Sequence, residues 1–78
     1  MKKPDIVEIR IDTGCNDKGK NIIFNNGIIQ YVTKFIVTFK DNTDTSVNVD
    51  MVSFDPNETF HKDEIIECAY IKYNEMWG

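Results

Sequence analysis

Histidine is nearly absent from this chain, with His61 the only one, and the two cysteines, Cys15 and Cys68, stand far apart. One histidine cannot supply the paired ligands that announce a structural zinc site, and a nucleophile–base constellation is not readily assembled around it. Two distant cysteines make no disulfide framework; in a reducing compartment free thiols are the default over a Cys15–Cys68 bridge. No apolar run is long enough to cross a bilayer. The first residues alternate charges with aliphatics, unlike the unbroken apolar core of a secretion signal, which points to the cytoplasm. Basic charge is also scarce. Nine Lys and Arg face thirteen Asp and Glu, and a pI near 4.7 argues against direct binding to a nucleic-acid backbone.

What charge there is lies unevenly. Residues 1–40 carry a net +3 and residues 41–78 a net −7, so an acidic face is expected. The length, 78 residues, allows one domain, 1–78. A core of that size yields only about 3–5 kcal/mol, so a substrate-burying cleft within one copy is not expected.

The organising stretch runs from Gly27 to Phe54. Ile28–Phe39 alternates, with Ile29, Tyr31, Thr33, Phe35, Val37 and Phe39 on one side, and Ser46–Phe54 does the same through Val47, Val49 and Met51. Asp41–Thr45, between them, has oxygen ligands but no glycine at calcium-loop spacing and reads as a hairpin tip. Upstream, Asp5–Asp12 alternates as a half-buried strand with Val7, Ile9 and Ile11 inward. Thr13–Lys20 reads as a loop, and Asn21–Asn25 as a short strand. Asn26-Gly27 is the signal for a two-residue type I′ hairpin. After a turn near Asp55–Phe60, the period changes to 3.6. Ile65, Ile66, Ala69, Tyr70, Tyr73, Met76 and Trp77 share one arc of a helix from about His61 to Met76, with Asp63 and Glu64 at its positive end. The expected fold is therefore α+β: a four-stranded antiparallel β-meander with one C-terminal α-helix packed on one face. One helix leaves the second face bare, and Ile28, Val32 and Ile36, with Ile6, Val52 and Phe54 nearby, give that face an apolar character unusual for open solvent.

Three motifs come close to chemistry. Asp12-Thr13-Gly14 resembles the active-site triplet of retroviral-type aspartic proteases, in which two subunits each contribute one aspartate. The likeness covers three residues, Arg10 stands where an apolar residue is usual, and Ile65-Ile66 is followed by Glu67 where that family has glycine; a turn capped by Asp12 is the simpler reading. Gly14–Asn21 has the spacing of a phosphate-binding loop, but Asn21 replaces the Ser/Thr and a strand, not a helix, follows. His61, Glu64 and Cys68 fall on one side of the helix without the close Cys or His pairs of a zinc site. No catalytic residue, metal or cofactor is assigned.

Binding remains. The first expectation is a small acidic effector of the size and charge seen among phage and mobile-element accessory proteins. It would inhibit a nucleic-acid-processing or host-defence enzyme by presenting Asp50, Asp55, Glu58, Asp63, Glu64 and Glu67 to a basic groove, with Phe54, Phe60 or Trp77 as an apolar anchor. The second is a homodimeric module pairing through the bare sheet face at Val32 and Ile36, or through an edge strand.

Overall fold

Two local interruptions of the alternating pattern decide the architecture. In the computed structural model, which describes residues 2–14, 19–55 and 57–77, the first lies at Thr33. The Thr33 backbone N–H and its hydroxyl both donate to the carbonyl of Asp12, at 2.8 and 2.9 Å, and its own carbonyl accepts the Met51 N–H at 3.0 Å. A residue held this way cannot continue a flat ribbon. The expected twelve-residue strand is therefore two, β3 (Ile29–Val32) and β4 (Lys34–Phe39), in different sheets. The break also changes the phase: Val32 and Phe35, three apart, are both fully buried, while Ile29 and Tyr31 are exposed.

The second interruption is a bulge in β1 (Ile6–Asp12). Ile6 lies opposite Phe39 and Glu8 opposite Thr38, which leaves Val7 as the extra residue. Past it, Ile9 and Ile11 face inward opposite Val37 and Phe35. Ile6, not Val7, thus joins them at the core, and Val7 is 58% exposed.

The fold is α+β with one C-terminal helix, but the four-stranded meander is replaced by two three-stranded sheets. The first has the order β1-β4-β5 and is antiparallel throughout, β5 being Ser46–Asp50; Met51–Ser53 is a 3-10 turn where a longer strand was expected. The second has the order β3-β2-β6. Here β2 (Lys20–Ile23) pairs antiparallel with β3 and parallel with β6 (Phe60–His61), a short strand the sequence pattern concealed in the turn before the helix. The β2–β3 turn is a three-residue loop, not the two-residue type I′ turn. The Gly27 N–H donates to the Phe24 carbonyl at 2.8 Å and the Phe24 N–H to the Ile28 carbonyl at 2.9 Å, while Gly27 alone takes positive φ, at 83°. Helix α1 (Lys62–Trp77) buries Ile65, Ala69 and Tyr73 against the first sheet. Met76 and Trp77, on its expected apolar arc, are exposed at the end.

The outer face of the first sheet differs from the expectation. Its register sets three rows, Glu8–Thr38–Ser46, Arg10–Ile36–Asn48 and Asp12–Lys34–Asp50. Lys34 lies 4.0 Å from Asp50, and the Thr38 and Ser46 hydroxyls share a hydrogen bond at 2.8 Å. Ile36 is the one apolar side chain in those rows. Val32 belongs to the other sheet and to the core, because the break at Thr33 took it there, and Ile28 lies in the loop that leads into β3. The apolar sheet face expected to mediate dimerisation is a polar surface.

Phe39 is the centre of the core, its ring 5.0 Å from Tyr70 and 4.9 Å from Tyr73. Replacing it by alanine should cost about 3–5 kcal/mol, as much as a core of this size supplies, and so leave the chain largely unfolded by circular dichroism without urea. Val7→Ala, on the exposed bulge, should change stability by less than about 0.5 kcal/mol in urea unfolding. A Val7→Ala loss as large as that of a core valine would restore the unbroken alternation and contradict the bulge.

Candidate functional site

Helix α1 is held on one flank by the chain's own lead. The Lys2 N–H donates to Asn74 Oδ1 and Asn74 Nδ2 donates back to the Lys2 carbonyl, both at 2.8 Å. The Tyr70 hydroxyl donates to the Pro4 carbonyl at 2.9 Å. Lys3 Nζ sits 3.2 Å from Glu67 and 5.5 Å above the Tyr70 ring. At the far end Asp41 ties helix to hairpin. Its Oδ1 accepts the backbone N–H groups of Thr43 and Thr45 at 2.9 and 3.1 Å, and its Oδ2 accepts the Tyr73 hydroxyl at 3.0 Å. The Thr45 side chain first, and then these backbone and phenol donors, hold the Asp41 carboxyl well below the usual carboxylate range against the opposing effect of burial. Burial, then the bond to Asp41, pushes the Tyr73 phenol up. The hairpin-tip reading of 41–45 holds; the carboxylate's second task, anchoring a helix more than thirty residues away, left no signal in the sequence.

The acids expected to form a binding surface fall into two groups. Asp55, Glu58, Asp63, Glu64 and Glu67 are all exposed in the stretch 55–67, against Lys62. Two of them have structural duties: Asp55 Oδ1 accepts the Asn57 N–H at 2.9 Å, and Glu64 Oε1 accepts the His61 N–H at 3.4 Å, the return arm of a capping box. Glu67 is engaged by Lys3. Asp63 is exposed in the first turn of the helix, and Glu58 is exposed in the stretch before β6, where it lines a hollow with Lys20 and Tyr31. Asp50 stands apart, on the outer sheet face beside Lys34. Phe54 is half-buried, edge-on to Phe60 at 5.0 Å, and so packs within the fold more than it projects from it.

The chemical near-misses do not assemble. Among the described residues no group of three or more His, Cys, Asp or Glu side chains could hold a metal ion. Burial, followed by the charge of Glu64, pushes the Cys68 thiol up, which disfavours the nucleophilic thiolate. The Asp12 carbonyl is the acceptor for Thr33, and the Asp12 side chain lies in the row with Lys34. Residues 15–18, with the middle of the phosphate-loop motif and the Cys15 end of any bridge, lie outside the described residues.

The other flank of α1 is open. Two adjoining hollows of about 350 and 240 Å³ run along β5, between that strand and the helical side chains Cys68, Ile71, Lys72, Glu75 and Met76. They form a solvent-open groove, not an enclosed ligand cavity. Among the described residues no helix is long and apolar enough to cross a membrane. Comparison with protein-family models, with curated proteins and with solved structures returned no match.

The Asp41 contacts carry a pH signature. A carboxyl whose pKa is depressed on folding adds stability that is fully present above its unfolded value, near 3.8, and is lost as pH falls through the folded one. Asp41→Ala should therefore lower the thermal midpoint most at neutral pH, with the gap to the parent narrowing below about pH 4. A gap that is unchanged at low pH would show that the carboxylate charge is not what holds the hairpin to the helix.

Proposed function

We propose that this chain acts by contact, not by catalysis, as a small effector whose acidic corner occupies a basic groove on a protein partner. The observation that carries the reading is the run of exposed carboxylates over 55–67, offset by one lysine. Their arrangement supports it further. Glu58 lies just before and Asp63 just after β6, which is paired with β2, so both acids flank a strand of the second sheet. Grooves of that charge complement belong to enzymes that process nucleic acid, and blocking such a groove is the inhibitory mode this corner suits. Acids placed this way accelerate encounter and exclude acidic partners, with affinity supplied by neighbouring apolar contacts.

Glu58→Lys with Asp63→Lys reverses the corner while leaving the Glu64 cap and the Lys3–Glu67 pair in place. In affinity capture from the native host, the partner held by the parent chain should be lost by this variant. The parent's capture should also weaken as ionic strength rises from about 0.05 to 0.2 M, since screening shortens the reach of exposed charge. Equal capture by parent and variant, with unchanged circular dichroism, would contradict the proposal.

A further inference from the structure

The free edge of β5 is prepared for strand pairing. The Phe39 N–H donates to the Thr45 carbonyl at 2.8 Å and the Met51 N–H to the Thr33 carbonyl at 3.0 Å. With the unbroken register between them, this makes the odd-numbered residues of β5 the ones bonded to β4. By the alternation of an antiparallel ladder, the backbone N–H and C=O of Ser46 and Asn48 point the other way. Among the described residues no strand lies on that side. The opposite edge of the same sheet, on β1, is blunted by its bulge at Val7; the β5 edge has no bulge, no proline and no lysine.

We infer that this edge pairs with the same edge of a second copy of the chain, about a twofold axis through Asn48. Self-complementarity selects that occupant. On the sheet, the axis sets Asn48 opposite Asn48, Val47 opposite Val49 and Ser46 opposite Asp50, so a hydroxyl meets a carboxylate and no like charges meet. The helices agree. Lys72 and Glu75 line the groove at the level of Asn48, so they straddle the axis, and antiparallel helices bring Lys72 of one copy beside Glu75 of the other. The same relation sets Ile71 against Met76, which are 45% and 60% exposed in the single copy. Among the described residues neither Lys72 nor Glu75 has an ion-pair partner. Room for the second helix comes from the lead at Lys2–Pro4, which contacts α1 on the flank away from β5. The product is a continuous six-stranded sheet roofed by two helices. One five-residue strand and two helical turns make an interface below the roughly 800 Å² per side of a standard complex, so the dimer depends on concentration.

Sedimentation equilibrium over a wide concentration range tests this independently of the proposed function, since neither Glu58 nor Asp63 lines the groove. The parent should move from 9.1 kDa towards twice that mass. Asn48→Pro, tolerable on an edge whose N–H faces outward, should remain at the monomer mass. Lys72→Glu sets like charges across the axis and should weaken the dimer roughly tenfold, and Lys72→Glu with Glu75→Lys should restore it. Should Asn48→Pro fail to fold, the two helix variants decide. A parent that stays at 9.1 kDa up to millimolar concentration, as it would if the edge served an extended segment of another protein, overturns the inference. So does a charge swap that fails to recover what Lys72→Glu loses.

Discussion

The position of one helix depends on a small aromatic and carboxylate anchor. Phe39 wedges between Tyr70 and Tyr73, and Asp41, two residues past the end of β4, receives the Tyr73 hydroxyl. Aromatic contacts of this kind add about 0.5–1.5 kcal/mol each beyond the area they bury. Because the anchor lies where β4 enters its hairpin, it fixes the C-terminal half of α1 over the end of the sheet. The lead at Lys2–Pro4 then secures the flank nearer β1. What remains open, the groove along β5, follows from those two attachments.

The polar outer face has the same origin as the helix position, in local backbone events that rephase the strands. With Val7 set aside in the bulge and Thr33 turned, Ile6, Ile9, Ile11, Phe35, Val37 and Phe39 all reach one side, where the helix covers them. Charged and hydroxyl side chains are left on the other. A sheet roofed on one side therefore needs no partner for its second face. The exposed apolar groups lie instead at Val7 in the bulge, at Ile28 and on β3, at Val52 and along the outer flank and end of α1.

Sequence pattern alone reached the C-terminal helix, its acidic first turn, the hairpin tip at Asp41–Thr45 and the alternation of β4 and β5, since each is a local preference with a known period. It missed the break at Thr33 because threonine is a good strand residue; what stops the strand is a carbonyl twenty-one residues earlier, at Asp12. It missed β6 because two residues carry no periodicity, and the bulge because Ile6-Val7 offers two equivalent aliphatics for one inward position. Among the residues expected to meet a partner, Asp55, Glu58, Asp63, Glu64 and Glu67 were recognisable as an exposed acidic run. Val32 went to the core because its face was assigned on an unbroken strand; Ile36 is on the outer face as expected, but its neighbours there are polar.

Amide hydrogen exchange along β5 tests most directly the central claim that a single copy leaves this edge uncovered. In dilute solution Val47 and Val49, bonded to β4, should be protected while Ser46 and Asn48 exchange rapidly; raising the concentration should slow the latter two. Protection of all four amides in the dilute chain would mean that its own fold already covers the edge, and the account would be wrong.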